Sequence, residues 1–199
     1  MPIELATIKG ITVVQDDDQR VHWKSGAAID ADGSNGQNGH PFAYRRDDHG
    51  LDKLGNAGYP HGGWRSVLLD RGDGTPLDDG AGNFYSQTTY AWTGRPIARR
   101  FVDATTVPYV VVNPLVRRHA AGIVIGCRAR VTHDGKSVKA VVADVSGVGD
   151  IGELSIAAAR SLGINSDPRS GGTAHEVEFE LWPGTAAVIN GDTYELQRA

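Results

Sequence analysis

The sequence predicts a mainly β protein built as a barrel or sandwich, and three observations predict it. Short runs rich in Val, Ile, Phe, Tyr and Trp recur along the 199 residues, broken at short intervals by Gly, Asn, Asp and Pro. In HEVEFELW the alternation is clean, with Val177, Phe179 and Leu181 facing one way and Glu176, Glu178 and Glu180 the other. That pattern predicts one core face and one solvent face. In AAVINGDTYEL, Asn190-Gly191 stands between two β-like runs, a pair that favours a two-residue type I′ hairpin because both residues tolerate positive φ.

Taken in chain order, the predicted strands are ITVVQ, RVHWKSGAAI, FAYR, WRSVLLD, NFYSQTTYAW, YVVVN, GIVIGCRARVTH, SVKAVVADV and HEVEFELW. Residues 137 to 145 read as an interior strand. Two places read as helix. LDKLGNAG near residue 55 promises a turn or two ended by glycine. The stronger signal runs from Ser155 to Leu162, where Ser155 can cap the orphan amides, Ala157 to Ala159 favour helix, and Gly163 suits the position after the last turn. No internal repeat or linker interrupts the chain, and its length suits one domain with a full core, residues 1–199.

The composition narrows the function classes. The net charge of −4 comes from aspartate, concentrated in the first eighty residues. This balance argues against a nucleic-acid partner, which wants a basic face, and suits a cationic one. A single cysteine, Cys127, excludes an intramolecular disulfide and a cysteine metal cluster; inside GIVIGCRARV it reads as a small buried side chain. No stretch approaches a membrane span. The start, MPIELATIKG, lacks the charged head and apolar core of a secretory signal.

The chemistry points to carboxylates. Asp144 ends the apolar run VVAD, a glycine-rich turn SGVGDIG follows, and Glu153 stands just before the short helix. Such glycines let backbone approach a ligand closely. Glycosidases need a carboxyl pair of this kind, one to protonate the leaving oxygen and one to activate water or attack. Two carboxylates at strand and helix ends also have a plain structural reading, because the helix dipole favours a negative charge there.

A second acidic stretch, DADGSNG, carries Asp30 and Asp32. It begins like a calcium loop, but counting from Asp30 the sixth position is Asn35 and the twelfth Pro41, so the required glycine and glutamate are missing. It is expected instead as a plain turn or as an acidic wall of a substrate cleft. The seven histidines show no paired metal spacing, and no GxSxG elbow or phosphate-binding glycine loop is present. Flat rings stack on sugar faces, and a single ring also serves as core or interface packing; Trp64 and Tyr85 follow turn residues, which favours partial exposure and a place beside a cleft as much as burial.

The segments WKSGAAIDADGSNG, GLDKLGNAGYP, FYSQTT, VDATTVPYVVVN and AVVADVSGVGDIGELSIAAARSLGI resemble, in that order, those of the chitosanases of glycoside hydrolase family 75. The resemblance spans roughly residues 20 to 183. It implies that Asp144 and Glu153 are the essential carboxylates and that the reaction is endolytic, inverting cleavage of β-1,4 links in chitosan. The family commonly has Gly-Pro after the strand-end aspartate and valine, where this chain has Ser146-Gly147, and many members carry a secretion signal. More distantly, the strand, aspartate, glycine turn and helix resemble part of the double-psi β-barrel of expansins, family 45 endoglucanases and some lytic transglycosylases.

Together these readings predict a single-domain β-barrel with a double-psi-like core and one or two short helices. It is expected to act as a monomeric glycosidase outside the cell, with no metal or organic cofactor and no nucleic-acid partner. Asp144 and Glu153 would be catalytic; Asp30, Asp32, Trp64 and Tyr85 would bind substrate. Glu153 is expected as general acid and Asp144 as general base. Two alternatives stand beside chitosan cleavage: a peptidoglycan glycan-strand hydrolase of an antibacterial effector or phage, and a carbohydrate-binding barrel without turnover.

Overall fold

The computed structural model describes residues 1–197. Among these described residues eleven strands follow in chain order: β1 (Ile3–Ile8), β2 (Ile11–Gln15), β3 (Val21–Asp30), β4 (Tyr44–Arg45), β5 (Asn83–Phe84), β6 (Tyr109–Val112), β7 (Cys127–His133), β8 (Lys136–Val145), β9 (Glu153–Ser155), β10 (Thr173–Ile189) and β11 (Asp192–Tyr194). Two α-helices join them, α1 (Pro114–His119) and α2 (Ile156–Leu162).

The main sheet has the order β1-β2-β3-β9-β6-β8-β7-β10-β11, and an additional pairing of β10 with β3 closes six of these strands into a barrel. Closure leaves no open edge within the six-stranded ring, and the edges of the sheet are the short outer strands β1 and β11. Two pairs in the ring are parallel, β3–β9 and β6–β8, and the other four are antiparallel. The long β10 completes the ring because register shifts at Thr173/Val177 and Trp182/Ala186 bend it. Val177, Phe179 and Leu181 are fully buried as their alternation predicts, with Phe179 stacked on Trp23 at 5.1 Å between ring centroids. The Asn190-Gly191 turn has positive φ at both residues and sets Ile189 opposite Asp192. β8 is an interior strand between β6 and β7, as the apolar run of residues 137 to 145 predicts.

Four readings are corrected. Glu180 does not face solvent: it is 2% exposed, where Arg20 and Arg130 both hold its carboxylate. LDKLGNAG forms turns and no helix, because the Asp52 carboxylate takes the amide of Lys53 and the side chain of Asn56 in competition with helical bonding. WRSVLLD begins as a short 3-10 turn at Trp64–Ser66, and of NFYSQTTYAW only Asn83–Phe84 is strand. The rest of that stretch is held to neighbouring loops by isolated bridges such as Leu68↔Ser86 and Ala91↔Phe101, and the Tyr90 amide donates to the Ala143 carbonyl of β8 at 2.8 Å. Helix α1 went unpredicted although its start signal is plain: Asn113 caps it by accepting from the Leu115 amide at 2.8 Å, and Pro114 takes the first helical position. Cys127 is buried, as expected. Among the described residues, no helix is long and apolar enough to cross a membrane.

Candidate active site

The register of the barrel brings Asp144 and Glu153 together. Val111 on β6 pairs with Asp144 on one side and with Glu153 on the other, and Glu153 in turn pairs with Ala28 on β3. These four residues therefore form one row across β8, β6, β9 and β3, and all four line the same cavity of about 580 Å³. Strands lie about 4.8 Å apart, so two in-register residues on either side of a central strand have Cα atoms about 9.6 Å apart. A register shift between Val110 and Val111 inserts Ala143 before Asp144, the kind of bulge that re-aims a side chain. Gly152 lets β9 start here, because a Cβ at that position would stand 2.4 Å from the Gly26 carbonyl oxygen.

The two carboxyl groups have different surroundings. Asp144, buried at the end of β8, accepts three hydrogen bonds on Oδ1: from the Thr89 amide at 3.0 Å, the Thr89 hydroxyl at 2.7 Å and the Val145 amide at 2.8 Å. Burial pushes its pKa up to about 6 against the pull of those donors. Glu153 lines the same cavity, half-buried, and among the described residues no donor opposes its desolvation. Burial first, then the charge of Asp144, pushes it up to about 7.

Asp30 and Asp32 join them in the same cavity. Carboxylate oxygens of Asp30, Asp32 and Asp144 lie within 4.8 Å of one another. Both added groups are held well above the ordinary carboxyl range, Asp30 by burial and then by Glu153 and Asp144, Asp32 by burial and then by Asp30 and Asp144. The Tyr44 hydroxyl donates to Asp32 Oδ1 at 2.8 Å, and the Asp32 amide donates to Asp30 Oδ1 at 2.8 Å. Three oxygens so placed can receive an ammonium group, and they are also the donor type that a hard cation takes.

Trp64 and Tyr85 do not line this cavity. Trp64 is 5% exposed, packed edge-on to Tyr59 with the Arg65 guanidinium over its ring at 4.3 Å; it anchors the segment in which Ser66 and Val67, two and three positions on, do line the cavity. Tyr85 is half-buried against Phe42. The structure adds Asp52, Asp150 and Arg169 to the cavity wall. Arg169 gives its donors to the carbonyls of Asp48, Gly50 and Asp52 and its charge pulls the Asp52 carboxyl down against burial, but one cation stands against six lining carboxyls and the cavity stays acidic. Asp52 and Thr89 lie inside GLDKLGNAGYP and FYSQTT, two of the segments that carry the family resemblance, and that was the signal by which both could have been found.

The chain matches no family model and no curated protein.

Proposed function

We propose that this chain is an endo-acting, inverting glycoside hydrolase that cleaves β-1,4 links of an amino-sugar polymer of the chitosan type. The observation that carries the reading is the row across β6: two carboxyls on one face, one held by three donors and the other by none, in a cavity walled by further aspartates. Inverting enzymes keep their carboxyls about 6.5 to 9.5 Å apart so that a water fits beside the sugar, and Cα atoms about 9.6 Å apart allow side chains to reach such a separation.

The roles follow from the surroundings. Glu153, the more easily protonated of the two, donates its proton to the glycosidic oxygen as the bond to the anomeric carbon breaks. Asp144, with Oδ1 fixed by Thr89 and Val145, turns Oδ2 to the water and takes its proton as the water oxygen attacks from the opposite face. The pair ends with Glu153 ionised and Asp144 protonated, and solvent restores both. Asp30 and Asp32 attract the ammonium of a glucosamine unit, whose charge relieves their mutual repulsion.

The test is separate incubation with chitosan, chitin and purified peptidoglycan, with soluble products weighed by mass spectrometry. Fragments from chitosan support the reading; muropeptides alone would move it to peptidoglycan strands, and silence on all three to a binding barrel. Turnover should survive a chelator, since the mechanism uses no metal. Roles are separated by an aryl glycoside of a chitosan oligomer, whose leaving group needs no protonation. Glu153→Gln should keep much of its activity on it and lose the polymer, whereas Asp144→Asn should fail on both.

A further inference from the structure

The carboxylate cavity does not end at Glu153. Beyond it, a shallow shelf of about 520 Å³ shares Ala28 and Gly171 with the cavity and continues over the start of β9. The two differ sharply in charge. Asp30, Asp32, Asp52, Asp144, Asp150 and Glu153 line the cavity, while no carboxylate lines the shelf, whose one charged lining residue is Lys9. Lys9 Nζ lies 2.7 Å from Asp150 Oδ1, which ties the tip of the β1–β2 hairpin to the glycine turn that precedes Glu153. Ile11 on β2 and Ile151 on that turn, both half-buried, supply the apolar surface of the shelf. The hairpin lies before residue 20, outside the span that resembles family 75.

A glucosaminium unit gains nothing on a surface lined by no anion, whose one ammonium already takes the nearby Asp150 carboxylate. An uncharged sugar bearing a methyl group gains contact with two isoleucines, and the bare glycine backbone leaves peptide groups within reach of its hydroxyl and amide groups. We propose that the N-terminal hairpin builds a binding site for an N-acetylated, uncharged hexosamine unit beside the carboxylate cavity. The active cleft would then read its polymer in two adjoining zones, cationic unit in the cavity and acetylated unit on the shelf. The inference rests on the glycan-hydrolase reading of the cavity. The acetylated unit has two sources, partly acetylated chitosan and peptidoglycan.

The test uses the full chain with Glu153→Gln to stop turnover and with isotope-labelled isoleucine methyl groups. Three probes are titrated by NMR: diacetylchitobiose, the deacetylated glucosamine dimer, and the disaccharide of N-acetylglucosamine and N-acetylmuramic acid. Ile11 and Ile151 report the shelf, and Ile29, which lines the cavity, reports the other zone. The shelf methyls should shift with an acetylated disaccharide and stay still with the glucosamine dimer, which should move Ile29. Adding Ile11→Asp should weaken diacetylchitobiose binding about tenfold, the low end of what one unsuitable group in a pocket costs, and leave the glucosamine dimer no weaker. Shelf methyls that ignore both acetylated probes, or that move equally with the glucosamine dimer, overturn the proposal, as does an Ile11→Asp variant with unchanged affinity for diacetylchitobiose. If Ile29 ignores every probe while the shelf responds, the cavity reading fails and the shelf stands. The active chain then identifies the source: acetyl groups at one fixed offset from the cut in chitosan fragments, or fragments from peptidoglycan alone. Acetyl groups scattered at random about the cut would overturn the shelf.

Discussion

Thr89 decides which oxygen of Asp144 is available, since its amide and hydroxyl both hold Oδ1. A hydrogen bond to a charged group is worth about 1.5 to 3 kcal/mol, or about one to two pKa units on the acceptor. Thr89→Val keeps the amide and removes the hydroxyl, so the Asp144 carboxyl should titrate about one unit higher. In a pH–rate profile the ascending limb, which reports ionisation of the base, should move up by that amount, and Thr89→Ser should bring it back. A uniform loss of rate at every pH, with the limb in place, would show that Thr89 only supports packing. The profile itself should be a narrow bell, because Asp144 near 6 must be ionised while Glu153 near 7 stays protonated; its two limbs belong to the interacting pair and not to either group alone.

At the scale of elements, the turn SGVGDIG is less free than its glycines suggest. The Asn113 side chain donates to the carbonyls of Gly147, Val148 and Asp150 at 3.2, 3.0 and 2.7 Å while its oxygen caps α1. One buried amide thus fastens the helix start to the loop that precedes Glu153. Asn113→Asp keeps the cap but sets a carboxylate against three carbonyl oxygens, and should destabilise the protein by about 2 kcal/mol or more, with faster amide exchange at residues 147 to 150. Thermal melts and hydrogen exchange check this; a melting temperature like that of the parent chain would mean the loop is held by other bonds. The same elements show what the sequence makes legible. β8, β10, the Asn190-Gly191 hairpin and α2 follow from alternation, apolar runs and caps, which are local signals. Asp144 and Glu153 were legible as residue types at strand ends, but their adjacency depends on β6, whose Val111 is more than thirty residues before either one. The stretch from Trp64 to Phe101 resisted reading because isolated bridges and side-chain bonds hold it, such as Asn35 with Ser86 at 2.8 Å, and neither leaves a periodic trace.

For the whole molecule, a barrel that gathers buried acids on one face must carry their repulsion. Asp30, Asp32, Asp144 and Glu153 all have raised pKa values in the folded state, whereas unfolded carboxyls titrate at about 3.9 to 4.3. Between about pH 4 and 7 the folded chain therefore binds more protons than the unfolded one, and stability falls as pH rises. Below about pH 4 the sign reverses, because groups such as Asp47, held down to about 2 by Arg45, contribute stability that is lost on protonation. The melting temperature should peak on the acid side, near about pH 4 to 5, and decline towards pH 8. Asp144→Asn removes one of the acids while its amide oxygen still accepts from Thr89 and Val145, so it should stabilise the protein by about 1 to 3 kcal/mol at pH 8 and hardly at all at pH 4. The relief that substitution gives is the relief a cationic substrate should give: glucosamine oligomers, whose amines lose their protons towards pH 8, should raise the melting temperature most near about pH 6 to 7, where cavity carboxylates and ammonium groups are charged together, and less at pH 5. A shift no larger near about pH 6 to 7 than at pH 5, or a melting temperature flat from pH 5 to 8, would mean that the cavity acids are not under the strain that selects an ammonium.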